Sequence, residues 1–166
     1  MNETETLSPA IPDELEEATH RLLDKACERD ISLATAESCT GGMLASLLTD
    51  VPGVAHAFER GFVTYTDESK NEMLGVSKDL LKEKGAVSRE VAIAMAEGAL
   101  ERSRANIAFA VTGFADKGEE PGLVHFACAR AGRKTAHREE HFGPIGRGAT
   151  RIACMRVAVE MMTEML

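Results

Sequence analysis

The stretch 33–42, with the sequence LATAESCTGG, restricts the fold of this chain more than any other part of it. It begins as a short apolar run, which is typical of a buried strand, and it ends in two consecutive glycines. Thr40, Gly41 and Gly42 then precede a second apolar run, as the cap and first turn of a helix do. The pattern predicts a strand, a tight turn and a helix, with Ser38 at the rim of the turn.

A turn of this kind brings several backbone N–H groups and a helix N-terminus together. An oxyanion, a carboxylate or a phosphate is stabilised at such a place, because the N–H dipoles point towards it. Ser38, Thr40, Gly41 and Gly42 are therefore candidate site residues. The alternative interpretation is a capped helix whose glycines only allow close packing of the backbone.

Apolar runs and turn residues predict the other elements of the chain. The polar segment 1–12 is expected to be flexible, and Asp13 is expected to cap a first helix. Strands are expected at 31–36, 58–65, 107–111, 123–129 and 134–142. Helices are expected between them and at 149–166. Strands that alternate with helices predict a single α/β domain, 13–166, built as a three-layer α/β/α sandwich.

Thr112 and Gly113 are further candidate binding residues. The wholly apolar run 107–111 before them is typical of a strand in the middle of a sheet, with both of its faces covered. The two residues therefore stand at a strand end of the kind where open α/β sheets bind ligands.

Charge and hydropathy limit the partners and the location of the protein. The formal net charge of −8 and the dispersed basic residues argue against binding to nucleic acid, which needs a basic surface. No apolar run is long enough to cross a bilayer, and the first residues lack the features of a signal peptide. We therefore expect a cytoplasmic protein without a membrane partner, and association into a homo-oligomer is left open.

The cysteines and histidines do not follow metal-binding patterns. Four cysteines occur without a C-x-x-C pair, and five histidines lack the spacing of a zinc site, so no metal is expected. Cys27, Cys128 and Cys154 are interpreted as small core residues. Cys39 differs from them, because a thiol beside a helix N-terminus often has a lowered pKa.

Two residues downstream complete a candidate catalytic set with Ser38. The predicted strand 58–65 ends at Tyr65, and the short helix after it carries Lys70. A serine hydroxyl is a good nucleophile only when a base removes its proton, and lysine is such a base only if burial or nearby positive charge lowers its pKa. Arg60 would supply that charge and an enclosed pocket the burial, and Tyr65 would relay a proton or position the leaving group. The alternatives are a solvated Lys70, a strand-end Tyr65 and a turn hydroxyl at Ser38.

Three segments carry a resemblance to a known family. They read LATAESCTGGMLASLLTDVPG, ERGFVTYTDESKNEMLGV and GAVSREVAIAMAEGAL. In these segments the chain resembles the C-terminal domain family of the competence/damage-inducible protein CinA, and the likeness extends from about residue 15 to the C-terminus. The resemblance implies that the sheet is five-stranded, mixed and mostly parallel.

The family resemblance also implies an activity. Its members include nicotinamide mononucleotide deamidases, which hydrolyse the carboxamide of this small nucleotide to nicotinic acid mononucleotide and ammonia without metal or cofactor. The proposed catalytic groups of the family fall on Ser38, Tyr65 and Lys70. Arg60 and the helix N-terminus are candidate partners of the phosphate or the carboxamide oxygen. Some members carry an N-terminal partner domain that this sequence does not show, so a stand-alone domain is expected.

The chain departs from the family pattern after Gly113. Relatives continue with Ala-Gly-Pro and a run of glycines, whereas this chain continues with the acidic stretch FADKGEEPG. Asp116, Glu119 and Glu120 would repel a phosphate, and a backbone with few glycines approaches a phosphate less closely. We therefore expect weakened nucleotide binding. A different amide substrate, or a non-catalytic ligand-binding or regulatory domain, is the alternative function.

Overall fold

The computed structural model describes residues 11–166, so most of the segment 1–12 that we predict to be flexible lies outside the described residues. The helices are α1 (Asp13–Glu28), α2 (Met43–Thr49), α3 (Asp67–Leu74), α4 (Lys78–Lys84), α5 (Arg89–Glu101) and α6 (Arg147–Met165). The strands are β1 (Leu33–Glu37), β2 (Phe58–Val63), β3 (Ile107–Gly113), β4 (Leu123–Arg130) and β5 (Ala136–His141). A short 3-10 helix, Ala55–Ala57, joins α2 to β2. The order of elements agrees with the prediction.

The strands of residues 11–166 form one five-stranded sheet in the order β2-β1-β3-β4-β5. Strand β1 pairs in parallel with β2 and β3, whereas β3 with β4 and β4 with β5 pair antiparallel. The predicted mixed sheet is confirmed, but "mostly parallel" is wrong for the pairings, because two of the four are antiparallel. Loops 114–122 and 131–135 contain no helix, and a chain that returns without a crossover pairs antiparallel.

Helices cover both faces of the sheet, which confirms the predicted three-layer α/β/α sandwich. Helices α1, α2 and α6 pack on one face, and α3, α4 and α5 pack on the other. The first face carries large side chains such as Phe109 and Phe126. The second face is lined by alanines, at positions 34, 36, 108, 110, 127 and 129. Because these side chains are small, α5 packs directly against the middle of the sheet.

Three helices have side-chain caps, and two helix starts differ from the prediction. Helices α3, α4 and α5 begin after hydroxyl residues whose side chains accept a backbone N–H, at Thr66, Ser77 and Ser88. Asp13 is the first residue of α1 rather than its cap. Helix α6 begins at Arg147, two residues before the predicted start, and its methionines are buried in the core. None of the helices in 11–166 combines the length and apolar character needed to cross a membrane.

Candidate active site

The turn after β1 holds Ser38 at the edge of the sheet where the parallel strands end. The backbone N–H of Ser38 donates to the Val111 carbonyl oxygen at 3.1 Å, and the Gly41 N–H donates to the Ser38 carbonyl oxygen at 3.2 Å. Gly41 and Gly42 have φ values of 60° and 97°, which glycine adopts without strain. The strand, turn and helix predicted from 33–42 are therefore present.

Successive strand residues point to opposite faces of a sheet, so Glu37 and Ser38 face different helices. The fully buried Glu37 lies on the side of α2. Its carboxylate accepts hydrogen bonds from the Thr40 hydroxyl at 2.7 Å and from the Leu44 and Ala45 N–H groups at 2.8 and 3.0 Å. The N-terminus of α2 is thus occupied by a side chain of the protein itself. The Leu44 and Ala45 N–H groups are therefore not available to a substrate anion.

Replacing Glu37 with glutamine is expected to destabilise the fold by ~1–3 kcal/mol. Both carboxylate oxygens accept hydrogen bonds, and in glutamine one of them becomes an NH₂ group that faces a buried donor without an acceptor. For a domain of this size, such a loss lowers the thermal midpoint by roughly 2–12 °C. Circular dichroism melting of Glu37→Gln, compared with Glu72→Gln on the exposed surface of α3, measures the effect. Equal midpoints for the two variants would contradict the positioning role of Glu37.

Lys70 lies on the other side of Ser38, in α3. Its side chain is only 1% exposed, and its Nζ lies 3.1 Å from the Ser38 Oγ. The same nitrogen donates to the carbonyl oxygens of Thr64 at 3.0 Å and Tyr65 at 3.4 Å. Burial lowers the pKa of Lys70, although the charges of Asp67 and Cys39 oppose the shift. The prediction that Arg60 contributes to this lowering is wrong, since burial causes it.

The three contacts of Lys70 suit both of its protonation states. The ammonium donates to the Ser38 Oγ and to the Thr64 and Tyr65 carbonyl oxygens. Once the proton is lost, two hydrogens keep the carbonyl contacts and the lone pair faces the Ser38 hydroxyl. No carboxylate oxygen of residues 11–166 lies within ion-pair distance of the Lys70 Nζ. The arrangement allows Lys70 to remove the proton of Ser38, which is the requirement for a serine nucleophile.

Hydrogen-bond donors for a developing oxyanion lie in the same turn. Within 11–166, the backbone N–H groups of Cys39, Thr40 and Gly42 donate to no protein acceptor. The Cys39 N–H follows Ser38 directly in the chain, and N–H groups placed in this way beside a serine nucleophile stabilise the tetrahedral intermediate of acyl transfer. The side chain of Thr40 is committed to Glu37, so only the backbone of Thr40 remains for a ligand.

The structure brings Tyr65 to the site by its backbone rather than its side chain. The Tyr65 carbonyl oxygen accepts from Lys70, whereas the side chain is 70% exposed at the rim. Arg60 lies elsewhere: it pairs with Ala34 at the beginning of β1, and its guanidinium contacts Glu59 and the Arg102 carbonyl oxygen. The predicted binding role of Arg60 is therefore wrong, because its register places it far from the strand ends.

Thr112 and Gly113 lie at the expected strand end but are committed to packing. The buried Thr112 hydroxyl donates to the Ala86 carbonyl oxygen at 2.8 Å, which fastens the loop before α5 to the sheet. A Cβ at Gly113 would approach Val124 and the Leu123 carbonyl oxygen to 2.7 and 2.8 Å. Both residues shape the edge of the sheet, and the Thr112 hydroxyl proton is not free for a ligand.

The acidic loop after Gly113 is partly neutralised by neighbouring cations. Asp116 lies 3.8 Å from the guanidinium of Arg147, and Glu120 contacts His141. Hydrogen bonds to Glu120 and Glu139 raise the pKa of His141, so the histidine carries its charge more readily. The repulsion of a phosphate that the sequence predicts is therefore offset at two of the three carboxylates.

Arg151 of α6 is a site residue that the sequence analysis missed. Its Nε donates to the Cys39 carbonyl oxygen at 3.0 Å, and its guanidinium lies beside Gly41. The partner is distant in sequence, and no local pattern distinguishes Arg151 from the other arginines of α6. Glu37 was also missed, although a carboxylate between an apolar strand and a glycine turn is a recognisable helix-capping signal.

No group of three or more His, Cys, Asp or Glu residues in the described part of the chain is arranged to hold a metal ion.

Comparison with known proteins identifies the family of this chain. A family model described as the CinA C-terminal domain matches residues 15–166. The chain belongs to the CinA C-terminal domain family. The competence/damage inducible protein CihA from Agrobacterium tumefaciens is 43% identical, with a TM-score of 0.90 over 95% of this chain and 98% of that one. A CinA superfamily protein from Escherichia coli is 33% identical, with a TM-score of 0.86 over 100% and 99% of the two chains.

Curated relatives are longer than this chain. A CinA-like protein from Akkermansia muciniphila is 54% identical over 113 residues, which are 65% of this chain and 27% of that protein. A CinA-like protein from Leptospira borgpetersenii is 38% identical over 160 residues, which are 93% of this chain and 37% of that protein. The chain therefore spans well under half the length of these relatives. The resemblance inferred from the sequence is confirmed.

Proposed function

We propose that this chain is a metal-independent amidohydrolase that releases ammonia from the carboxamide of nicotinamide mononucleotide. The observation that supports the proposal best is the buried Lys70 amine, 3.1 Å from the Ser38 hydroxyl and without a carboxylate partner in 11–166. The substrate follows from the family that the chain resembles, and the cytoplasm is its proposed location.

In the first half of the proposed reaction, Ser38 attacks the carboxamide carbon. Lys70 accepts the hydroxyl proton, and the new bond from the Ser38 oxygen pushes the carbonyl electrons onto the amide oxygen. The backbone N–H groups of Cys39 and Thr40 stabilise this oxyanion. When the oxyanion collapses, the Lys70 ammonium gives its proton to the departing nitrogen. Ammonia leaves, and an ester of Ser38 remains.

In the second half, water takes the place of ammonia. Neutral Lys70 accepts a proton from the water, whose oxygen attacks the ester carbon, and the Lys70 ammonium then returns a proton to the Ser38 oxygen. Tyr65 belongs to the proposal as a group at the rim that contacts the bound substrate, since its side chain is too exposed to join the Ser38 and Lys70 pair. Arg147 and Arg151, rather than Arg60, are the cations at this edge that suit an anionic nucleotide.

Incubation with nicotinamide mononucleotide tests the proposal. Release of ammonia and formation of nicotinic acid mononucleotide are expected. Nicotinamide and its riboside, which lack the phosphate, are tested as substrates for comparison. If no ammonia appears but the nucleotide raises the thermal midpoint, the chain is a binding domain, because a ligand that binds the folded state stabilises it. If neither occurs, the nucleotide is not its ligand.

The activity is expected to rise with pH as Lys70 loses its proton. The proton must be absent from Lys70 for it to act as a base, and burial lowers its pKa. The plot of kcat/KM against pH should therefore have its inflection at a pH below the ordinary pKa of lysine, and activity should be low on the acid side of the inflection. Initial rates from about pH 5 to 10 measure it. Lys78→Ala, on the surface of α4, should not move the profile, and a profile that falls throughout this range would contradict the role of Lys70.

A further inference from the structure

Two thiols meet where the Ser38 turn contacts α6. Cys39 follows Ser38 directly, and Cys154 lies on α6; both belong to the same buried cluster. Arg151 fastens α6 to the turn, since its Nε donates to the Cys39 carbonyl oxygen at 3.0 Å. Cys154 is three residues further along the helix, so it lies on the same helix face as Arg151 and faces the turn. The two sulfur atoms are therefore neighbours in space.

The two thiols differ in access and acidity. Cys39 is 7% exposed beside the open rim of the site, whereas Cys154 is 1% exposed. A hydrogen bond with Cys154, together with the nearby charge of Arg151, lowers the pKa of Cys39. The same hydrogen bond and burial raise the pKa of Cys154. A peroxide therefore reaches the outer sulfur first, and the inner sulfur is placed to react second.

The other two cysteines lack such a neighbour. Cys27 is half-buried, and its sulfur contacts the His56 ring at 3.3 Å. Cys128 lies inside β4, and burial raises its pKa to about 12. Among the residues that the structure describes, neither forms a hydrogen bond with another thiol, so both serve as internal controls.

We propose that Cys39 and Cys154 form a peroxide-reactive pair that closes to an intramolecular disulfide. The Cys39 thiolate attacks one oxygen of a hydroperoxide, the O–O bond breaks, and a sulfenic acid and hydroxide result. The hydroxide, or the alkoxide of an organic peroxide, takes the Cys154 proton. The Cys154 sulfur then attacks the Cys39 sulfur and expels the sulfenic oxygen as hydroxide, which takes up the proton that Cys39 released to solvent when it became a thiolate. Both sulfurs are oxidised, and the peroxide is reduced to two waters or, for an organic peroxide, to water and an alcohol.

Closure of this bond changes the geometry around Ser38. A disulfide needs the sulfur atoms at covalent distance, so Cys39 must move towards α6. The Cys39 N–H and the Ser38 oxygen move with it, away from the arrangement that Lys70 and the N–H donors provide. Loss of turnover on oxidation therefore rests on the proposed function, whereas formation of the bond does not.

Peptide mapping of the oxidised protein tests the bond directly. Each cysteine falls in a different tryptic peptide, namely 26–29, 30–60, 118–130 and 152–156. After treatment with stoichiometric hydrogen peroxide and blocking of free thiols, peptides 30–60 and 152–156 are expected to appear as one cross-linked species. Titration in denaturant is expected to fall from four free thiols to about two, and dithiothreitol should restore them. Ammonia release is expected to fall at least ~10-fold and to return with the reductant.

Two variants complete the experiment. Cys154→Ala should lose the cross-link and leave a Cys39 sulfenic acid that dimedone traps, whereas Cys128→Ala should keep the cross-link. Four free thiols after peroxide treatment, or a link through peptide 26–29 or 118–130, would overturn the proposal even if Cys154→Ala failed to fold. A cross-linked protein that never released ammonia would support the bond and contradict only the proposed function.

Discussion

Replacing Ser38 with alanine is expected to lower the rate of ammonia release from nicotinamide mononucleotide by at least ~10³-fold, because no acyl intermediate can form. The change removes one oxygen, and the Ser38 backbone N–H keeps its bond to Val111. The thermal midpoint should therefore stay close to that of the parent, and the nucleotide should still bind. Single-turnover measurements, with binding followed by calorimetry, separate the two effects.

Two neighbours of Ser38 provide matched controls. Ser46→Ala removes an exposed hydroxyl from α2 and should leave turnover unchanged. Cys39→Ala keeps the backbone N–H and should retain turnover within about tenfold. Loss of activity in the Cys39 variant but not in Ser38→Ala would show that the nucleophile is the thiol. Turnover by Ser38→Ala within tenfold of the parent would exclude covalent catalysis by Ser38.

The fold was predictable because its signals are local. Apolar runs interrupted by Gly, Pro and hydroxyl residues mark each element, and the hydroxyls of Thr66, Ser77 and Ser88 cap α3, α4 and α5 in the structure. The proportion of parallel pairings was not predictable from such signals, since it depends on whether β4 and β5 return directly or through a helix.

Register explains which candidate site residues lie close together. Ser38 and Lys70 follow the ends of adjacent parallel strands, and strand ends of this kind meet at one edge. Arg60 was misplaced because it lies inside β2, opposite Ala34, three positions before the pair Glu37 and Val63. A strand rises by about 3.3 Å per residue, which removes Arg60 from the edge by roughly 10 Å.

Glu37 and Arg151 show what local patterns do not reveal. A glycine turn before a helix predicts an anion site, but here the anion is the protein's own Glu37 carboxylate. The contact of Arg151 with the Cys39 carbonyl oxygen joins residues 112 positions apart. Such contacts follow from how α6 packs on the sheet, which depends on the whole chain.

Removal of the Lys70 amine is expected to be nearly as damaging as loss of the nucleophile. Lys70→Ala should lower kcat/KM by at least ~10²-fold, which is the usual contribution of a positioned base. The truncation leaves a cavity beside Ser38 that small molecules can enter. Added ethylamine should restore part of the activity in proportion to its neutral form, whereas guanidinium, which stays protonated, should not. Ammonia release by Lys70→Ala across a series of primary amines of different pKa measures the effect.

The rescue separates a base from a positive charge at Lys70. If the ammonium only attracted the substrate, guanidinium would restore activity as well as ethylamine, and rescue would decline as pH rises. If Lys70 accepts the Ser38 proton, the restored activity increases with pH, and the activity restored per neutral amine increases with the basicity of that amine. Lys70→Arg should then stay inactive, because arginine does not release its proton. Lys78→Ala is the matched control, since it removes an exposed lysine and should respond to neither additive. Equal rescue by guanidinium would show that a group other than Lys70 accepts the proton of Ser38.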